Sequence, residues 1–361
     1  MRRSSGLLAL VLVAGCGSAP DSGSVEPPTP PDTGAPLPPE EPSIVVSHDG
    51  GLALFDLDGS ERLGWTWEAL APGCAVAGAV CFGEGLQADG DGLLFVHSTA
   101  SQYVVDGGLG RMSAPGQVDF LLTGFDFPHD VVRAPDEQLV LVESFGSRLS
   151  WLAGDGSSAT RAQVLDASHS DWALETPNSV ARFDQNGRTY VVVADRGSLL
   201  QVGASGVIEL WDITEPTPAR VWRFPDGSPL NIPHGAELQL HDGRIWLTYG
   251  HTLGDEGRSS TIGVAVTDDV TQLPAYVADL VPSPALTFLR GVSLHDGVLY
   301  LAESGESGEG PGIYTATLPD LAESKHAGGF GDQQRVELSV RLHIDVPEGP
   351  YEAWVWDEPP W

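Results

Sequence analysis

Two histidines of this sequence each follow a proline and precede a run of alternating apolar residues. His129 lies in FPHDVVRAPDEQLVLVES and His234 lies in IPHGAELQLHDGRIWLTYGH. Asn178 has the corresponding place in TPNSVARFDQNGRTYVVVADR. An imidazole that is neutral near pH 7 can act as a nucleophile or as a base. Each residue alone would be an ordinary turn residue at the start of a strand, but two histidines and an asparagine in register favour a chemical role.

Charged residues accompany these positions. Arg196 closes the second apolar run of the Asn178 segment, Arg290 lies in TFLRGVSLHDGVLYLAES, and Glu84 lies in CFGEGLQADGDGLLFVHS. Together they would form a polar site of mixed charge. Because His129 and His234 are 105 residues apart, the elements that position them must connect distant parts of the chain.

The five segments share one pattern, which is a short strand, a turn rich in Asp, Asn and Gly, and a second apolar strand. Aligned on their turns, the equivalent positions are Gly83, His129, Asn178, His234 and Phe288, with spacings of 46, 49, 56 and 54 residues. A period of roughly 50 residues built from paired strands indicates an all-β fold, a β-propeller whose blades pack on their neighbours. A β-sandwich or barrel would also contain alternating strands, but it does not predict the same pattern five times.

The two ends of the chain complete the ring in this interpretation. Residues 43 to 60, SIVVSHDGGLALFDLDGS, have the later strands of a further blade without its first strand, and the C-terminal RVELSVRLHIDVPEGPYEAWVWD can supply what is missing. Closure by N- and C-terminal strands removes exposed sheet edges. Residues 44–361 divide into six blades of roughly 53 residues, which matches the spacings better than seven blades of roughly 45.

In a propeller the first strand of each blade lines the central channel. The repeat therefore predicts that His129, Asn178 and His234 converge at one mouth of that channel, with Arg290, Glu84 and Arg196 nearby.

Several segments resemble the bacterial arylsulfotransferase family. HDVVRAPDEQLVLV is similar to the segment in which the family has His-Asp before a turn, and PNSV with the later ADRGS resembles its His-x-Asn-Ser segment and following strand end. PHGAELQLHDGRIWLTYG resembles its Gln-His segment, and PEGPYEAWVW is similar to its closing segment. The resemblance implies a six-bladed propeller that moves a sulfuryl group from a phenyl sulfate to a phenol through a histidine, without a cofactor.

Carried over residue by residue, the resemblance implies that His234 is the nucleophile, that Arg196 neutralises sulfate oxygens, and that His129 is a channel histidine that handles protons. Asn178 and Arg290 would contact the small phenolic or sulfated substrate, together with Thr176, which stands where the family has a histidine. Pro233 replaces the usual glutamine. A diverged relative that binds without turnover is the alternative within this family.

Two other classes of protein fit the same segments. A lactonase or gluconolactonase-like propeller would hold Ca²⁺ through hard oxygen ligands, for which Glu84, Asp130 and Asn178 are the candidates. A non-enzymatic surface binding module would present its loops to another protein or to a glycan.

The charge of the chain excludes some partners. The formal net charge is −32 and the isoelectric point is about 4.3, with Lys325 as the only lysine. A surface this acidic repels nucleic acid and anionic lipid headgroups, so neither is expected as a partner.

The N-terminus predicts export. Arg2 and Arg3 precede a short apolar run, and VAGC at residues 13–16 resembles the bacterial lipobox, so residues 1–15 are predicted to be a signal peptide and Cys16 the lipidated residue. Residues 16–43 are a proline-rich tether that cannot build a core. Gly17 after the cysteine favours the outer membrane, and anchoring is expected only through the lipid. In an oxidising compartment, Cys74 and Cys81 are expected to form a disulfide.

Overall fold

The computed structural model describes residues 42–74, 80–90, 92–100, 105–197, 206–225, 230, 233–252, 260–305, 310–319, 321, 335–347 and 349–356. Six sheets form the six blades of a β-propeller, which confirms the predicted all-β class and blade number. Cys16, the predicted signal peptide and nearly all of the tether lie outside the described residues, although Ser43 already belongs to the first strand. No helix in the described part of the chain is long and apolar enough to cross a bilayer.

Each blade is a sheet of four or five strands, numbered in chain order. Blade 1 consists of β1 (Ser43–His48), β2 (Gly51–Asp56), β3 (Glu61–Thr66) and β25 (Pro350–Trp356), followed after β3 by the short helix α1 (Trp67–Leu70). Blade 2 consists of β4 (Val80–Asp89), β5 (Gly92–Ala100), β6 (Val105–Ala114) and β7 (Gln117–Thr123). Blade 3 consists of β8 (Pro128–Arg133), β9 (Leu139–Glu143), β10 (Arg148–Leu152) and β11 (Gln163–Leu165).

Blades 4 to 6 follow the same plan. Blade 4 consists of β12 (Pro177–Gln185), β13 (Arg188–Asp195), β14 (Val207–Asp212) and β15 (Ala219–Phe224). Blade 5 consists of β16 (His234–His241), β17 (Arg244–Thr252), β18 (Ser260–Thr267) and β19 (Ala275–Ser283), with β23 (Arg335–Ser339) added in parallel. Blade 6 consists of β20 (Leu289–His295), β21 (Val298–Glu303), β22 (Gly312–Thr317) and β24 (Arg341–Asp345).

Tight turns connect the first two strands of three blades. The pairs Asn186-Gly187, Asp242-Gly243 and Asp296-Gly297 have positive φ at both residues, between 47° and 75°. This conformation suits the right-handed twist of a hairpin, and Asn, Asp and Gly adopt it at low cost. The turn residues that revealed the repeat therefore also determine its hairpin register.

The ring closes through the C-terminal strand. The innermost strands β4, β8, β12, β16, β20 and β25 contact one another in that circular order. β25 pairs antiparallel with β1, and Ser43 lies opposite Trp356. The predicted closure is thus confirmed for residues 350–356, but the preceding residues of the same predicted segment form β23 and β24 and complete blades 5 and 6 instead.

Each innermost strand has a β-bulge near its start. The register shifts at Glu84-Gly85, His129, Asn178, Gly235-Ala236, Arg290 and Tyr351. A bulge inserts an unpaired residue and changes the direction of its side chain. The structural repeat therefore aligns Glu84, His129, Asn178 and Arg290, so the sequence alignment on Gly83 and Phe288 was displaced by one and two residues.

Buried carboxylates cap the loops that enter three innermost strands. Glu303, the last residue of β21, accepts the backbone amides of Thr287, Phe288 and Gly305. Asp195 and Glu143 occupy the same place in blades 4 and 3 and also accept loop amides. We call Glu143, Asp195 and Glu303 the loop-capping carboxylates. They hold the loops in place directly before the bulges.

A disulfide restrains the start of blade 2. Cys74 and Cys81 are bonded, with their Cα atoms 5.6 Å apart. Cys81 lies in β4, three residues before Glu84. The bond therefore connects the segment after α1 to the strand that carries Glu84.

Candidate functional site

A cavity of about 280 Å³ lies in the channel and is bordered by all six innermost strands. Its polar lining comprises Glu84, Gln87, His129, Asp130, Asn178, Ser179, Arg182, His234, Glu237, Gln239, Arg290 and Glu352. The volume is close to the lower end of the range for small-molecule sites, roughly 300 Å³. The predicted convergence of His129, Asn178 and His234 is therefore present in the structure, at a cavity that suits a small polar ligand.

His129 forms a pair with Glu84. Its Nδ1 lies 2.9 Å from Glu84 Oε2, and both side chains are more than nine-tenths buried. A carboxylate only accepts hydrogen bonds, so Nδ1 carries the proton and donates it to Glu84. In the neutral ring the lone pair is then on Nε2. This is the arrangement of an oriented imidazole base or nucleophile.

His234 has the opposite arrangement. The Asn178 amide nitrogen lies 2.7 Å from His234 Nδ1 and 3.2 Å from the carbonyl oxygen of Pro233. Only the amide nitrogen satisfies both contacts, because the amide oxygen would repel the Pro233 carbonyl. Asn178 thus donates to Nδ1, and the neutral ring carries its proton on Nε2. That Nε2 is buried and has no hydrogen-bond partner within the described residues.

The His234 ring stays neutral over the ordinary pH range. Burial, and then the positive charges of Arg196 and Arg290, hold the pKa of His234 well below its usual value. The resemblance assigned the nucleophile to His234, but its tautomer makes this ring a hydrogen-bond donor. The lone pair that can attack an electrophile belongs to His129.

Arg290 brings a cation to the cavity. Its guanidinium lies over the Phe288 ring, 4.5 Å from the centroid, and its Nε donates to Ser304 Oγ at 3.3 Å. Arg196 is not among the residues that line the cavity, although it is partly buried and its charge acts on His234. Burial, and then the charge of Arg290, lower the pKa of Arg196. The charges of the two guanidiniums therefore repel each other.

The position of Arg196 follows from the repeat. In blade 3 the residue after the second strand contacts the next blade, because Ser144 Oγ donates to the Pro177 carbonyl, and in blade 2 Ser98, near the end of β5, donates its hydroxyl to the Pro128 carbonyl at 2.8 Å. Arg196 has the same place in blade 4, and the following blade begins with Pro233 and His234. A longer side chain at this position reaches toward His234.

Thr176 directly precedes β12, and its backbone holds the loop there. Its backbone amide donates to Asp195 Oδ1 at 2.6 Å, and its carbonyl accepts the Arg196 amide at 3.2 Å. The residue is buried and does not line the cavity. The substrate contact that the resemblance assigned to this position thus has no counterpart in the cavity lining.

Four phenylalanines surround the two imidazoles, and we call Phe82, Phe127, Phe145 and Phe288 the mouth phenylalanines. Phe127 stacks on Phe145 with centroids 4.9 Å apart, and its edge contacts the His129 ring, also at 4.9 Å. Phe82 lies 5.8 Å from Phe127, and Phe288 lies 6.0 Å from His234. Phe145 is 51% exposed, which is unusual for such a large apolar side chain. Aromatic ligands can stack on such rings.

No sequence motif marks this group, although Phe precedes the bulge by two residues in three blades. Phe82, Phe127 and Phe288 have those places, and Phe145 follows β9. Phenylalanine before a strand is ordinary in a propeller, so only the converging bulges distinguish these residues from core residues.

Three further carboxyl groups lie on the same innermost strands, and we call Asp130, Glu237 and Glu352 the carboxyl tier. Burial raises the pKa of Asp130 to about 7 and that of Glu237 to about 8. Burial, and then repulsion by Asp130 and Glu237, raise the pKa of Glu352 well above its usual value. Glu237 and Glu352 were not predicted, since their spacing along the chain carries no motif.

Some of the oxygens that the lactonase-like interpretation assigns to Ca²⁺ already accept hydrogen bonds. Glu84 Oε2 accepts from His129, and the two oxygens of Asp130 accept the amides of Val131 and Val180, both at 2.8 Å. Glu84 Oε1 and Asn178 Oδ1 are buried without a partner among the described residues. In that part of the chain only Cys74, Cys81 and His97 bring three His, Cys, Asp or Glu ligand atoms within 4.8 Å, and both cysteines are in the disulfide. These residues thus offer two free oxygens rather than the six to eight that Ca²⁺ takes.

The fold is shared with known propellers. Over 87% of this chain and 98% of the other, the structure is similar to the periplasmic gluconolactonase of Pseudomonas aeruginosa, with a TM-score of 0.51 and 11% identity. Lower similarity is found to a Bacteroides caccae protein of unknown function (TM-score 0.43, 14% identity, 65% of this chain and 79% of that one) and to the GH43 protein BlXynB of Bacillus licheniformis (TM-score 0.44, 10% identity, 66% and 54%). No family model matches the sequence, and no curated protein does. At these identities the similarity establishes the β-propeller fold alone.

Proposed function

We propose that the channel binds an aryl sulfate and transfers its sulfuryl group to a phenol, with His129 as the covalent carrier. The observation that carries the proposal is the Glu84–His129 pair, which leaves the lone pair on Nε2 of a ring that borders a cavity with Arg290 and His234. The order of the four sequence segments that resemble arylsulfotransferases supports the same reaction. The mouth phenylalanines offer a surface for the aryl group.

The first half of the reaction forms a sulfohistidine. His129 Nε2 attacks sulfur, the sulfur–oxygen bond to the aryl group breaks, and the phenolate leaves with the bonding electrons. Glu84 accepts the hydrogen bond of Nδ1 and stabilises the positive charge that develops on the ring. The Nε2–H of His234 and the guanidinium of Arg290 neutralise the charge that develops on the sulfuryl oxygens.

The second half returns the carrier to its free state. The oxygen of the acceptor phenol attacks sulfur, the nitrogen–sulfur bond breaks, and its electrons return to His129 Nε2. The proton of the acceptor passes to the departing phenolate or to water. No metal or nucleotide is needed for either half to balance.

The test measures release of 4-nitrophenol from 4-nitrophenyl sulfate with phenol as acceptor. His129→Ala should abolish transfer, whereas His234→Gln, which keeps an N–H donor, should retain a measurable rate. Loss of the donor in His234→Ala should lower kcat about a hundredfold to a thousandfold. His295→Ala is the matched control, because this histidine ends the same kind of innermost strand away from the bulge.

Peptide mapping after an alkaline quench identifies the sulfated residue. Sulfate on His129 supports the proposal, and sulfate on His234 or full turnover by His129→Ala overturns it. Binding of the aryl sulfate without turnover in the wild-type protein would point instead to the non-catalytic relative.

The calcium-dependent lactonase is the second candidate, and the two unpartnered oxygens of Glu84 and Asn178 favour it. Calcium titration by calorimetry, followed by assay of lactone hydrolysis with and without chelator, tests it. Stoichiometric calcium binding that is lost in Asn178→Ala, with chelator-sensitive hydrolysis, would support this function. The partial engagement of Glu84 and Asp130 leads us to expect neither.

We also propose that the chain is exported and held at the cell envelope, in the outer membrane, by lipid on Cys16. The support is the sequence VAGC after a short apolar run and the proline-rich residues that follow it. Replacement Cys16→Ser should move the protein from the membrane fraction to the soluble fraction of its host. Retention in the membrane fraction would contradict the anchor.

A further inference from the structure

The cavity contains groups of opposite charge at two depths along the innermost strands. Arg290 lies at the bulge of its strand and over Phe288, which contacts His234, and the charges of Arg290 and Arg196 both act on His234. Asp130 follows His129 directly, and Glu237 lies three residues after His234. The side chains of the carboxyl tier therefore come from the next positions along the same strands.

Among the described residues, the hydrogen bonds to the carboxyl tier come from amide N–H groups and not from arginines. Within the described residues, Asp130 accepts the backbone amides of Val131 and Val180, and Glu352 accepts the backbone amide of Leu86. Glu237 contacts only the Gln239 amide, at 2.5 Å. This arrangement differs from Glu143, which is neutralised by two arginines.

A second observation points to a ligand. Glu84 lines the same cavity, is only 4% exposed, and its Oε1 has no hydrogen-bond partner among the described residues. Asn178 is 7% exposed, and its Oδ1 likewise has no hydrogen-bond partner among the described residues. A buried acceptor without a donor costs about 1–3 kcal/mol, which a ligand with N–H groups would offset.

The spacing of the carboxyl groups selects the kind of cation. No three of the described channel carboxylates and imidazoles bring ligand atoms within 4.8 Å of one another. A bare divalent ion needs oxygens that close on it at 2.0–2.6 Å, so roughly within this limit of each other. A primary ammonium carries three N–H donors on a larger group and can contact carboxyl groups that are further apart.

We propose that Asp130, Glu237 and Glu352 form a subsite for a protonated primary amine, so that the preferred acceptor is a phenol that bears an aminoalkyl group. The amine enters first and contacts the carboxyl tier, and the phenol oxygen then lies beside His129. The choice of acceptor rests on the function proposed above, but the amine subsite itself is measurable by binding alone.

Proton release accompanies this binding. The groups that face the tier are Glu84 on β4, His129 on β8, Arg182 on β12, His234 on β16 and Arg290 on β20, with Arg196 close by. Burial raises the pKa of Asp130 to about 7 and that of Glu237 to about 8. An ammonium favours the ionised carboxylates, so its affinity should rise as the pH increases through 7 to 8 and binding should release protons.

The experiment compares 4-hydroxybenzylamine with its neutral isostere, 4-hydroxybenzyl alcohol, by calorimetry in buffers of different ionisation enthalpy. The amine should bind the wild-type protein at least tenfold more tightly and release protons. Glu237→Gln and Glu352→Gln should each remove that preference, and Glu337→Gln, on the exposed face of β23, should not. Melting temperatures and binding of 4-nitrophenyl sulfate show that each variant is folded.

The outcomes separate the two proposals. Equal affinity for amine and alcohol overturns the subsite, as does calcium chloride that displaces the amine stoichiometrically. A tighter complex with the amine, but no transfer to any phenol, supports the subsite and contradicts sulfuryl transfer. If transfer occurs with the same KM for both acceptors, sulfuryl transfer stands and the subsite is wrong.

Discussion

The two channel imidazoles differ in the neighbour that contacts Nδ1. A carboxylate oxygen lies beside His129 and an amide nitrogen beside His234, so the two rings carry their protons on opposite nitrogens. One ring then offers a lone pair and the other offers an N–H. The two histidines can therefore serve complementary purposes. His129 can act as a base or a nucleophile, and His234 can donate a hydrogen bond.

This difference predicts the effect of Asn178→Asp. The new carboxylate accepts the Nδ1 proton of His234, which moves the lone pair to Nε2 and raises the pKa of the ring. Nitrogen chemical shifts of ¹⁵N-labelled histidine report the tautomer directly. The wild-type His234 should show a protonated Nε2 and the variant a protonated Nδ1.

Asn186→Asp is the matched control, since Asn186 lies in an exposed hairpin turn. It should leave both channel imidazoles unchanged. A wild-type His234 that is already protonated on Nδ1 would contradict the assignment of roles.

At the scale of single elements, the loop-capping carboxylates determine where each innermost strand begins. Glu143 shows the strongest charge interactions among them, with Arg161 Nη2 at 2.6 Å, Arg148 Nη2 at 2.8 Å and Ser150 Oγ at 2.5 Å. Burial alone would raise its pKa, but the hydrogen bonds from Arg161 and then Arg148 outweigh it and lower the pKa to about 2. The loop before His129 is held by the same carboxylate, through the Asp126 amide.

We expect Glu143→Gln to lower the free energy of unfolding by about 2–3 kcal/mol at pH 7, since two partly buried arginines lose their partner. The folded pKa lies below the ordinary value, so this stabilisation is present above about pH 4.5 and is lost as the pH falls towards 2. Urea unfolding at pH 7 and at about pH 3 should therefore show a smaller difference between variant and wild type at the lower pH.

Glu137→Gln provides the control for this prediction. Its carboxylate pairs with Arg133 at 3.6 Å but is 81% exposed, so the change should be near zero at either pH. An equal loss for Glu137→Gln and Glu143→Gln would contradict the role of burial.

At the scale of the whole molecule, the ring depends on the hydrogen bonds between β1 and β25. Ile44 and Val46 of β1 pack with Ala353 and Val355 of β25 in one buried cluster that also contains residues of blade 6. The same strand places Glu352 in the channel, where it accepts the Leu86 amide of blade 2 at 2.6 Å. The seven residues of β25 therefore both close the ring and contribute Glu352 to the cavity.

A circular permutant tests this closure. Joining Trp356 to Ser43 through a linker of about four residues, with new ends in the exposed hairpin between β6 and β7, should retain the fold because the joined ends already pair. Circular dichroism and size-exclusion chromatography compare it with a chain that ends at residue 349. The truncated chain should aggregate, since it exposes the edge of β1. A monomeric, cooperatively folding truncated chain would contradict the role of β25.

Local sequence patterns determined the blade number, the hairpins and the set of residues near the channel. Strand alternation, Asn-Gly and Asp-Gly turns and the repeat spacing act over a few residues, so they can be read directly from the chain. His129, Asn178 and His234 were found in this way because each follows a proline near the start of the first strand of its blade.

Only the tertiary structure decided what those residues can do. The proton positions on the two imidazoles depend on Glu84 and Asn178, which belong to other blades, and the carboxyl tier joins Asp130 with residues more than 100 positions away. The split of residues 335–356 among three blades likewise depends on which sheet edges remain open after the ring has formed. Tautomers, pKa values and edge pairing arise from contacts between blades, and no pattern within one blade encodes them.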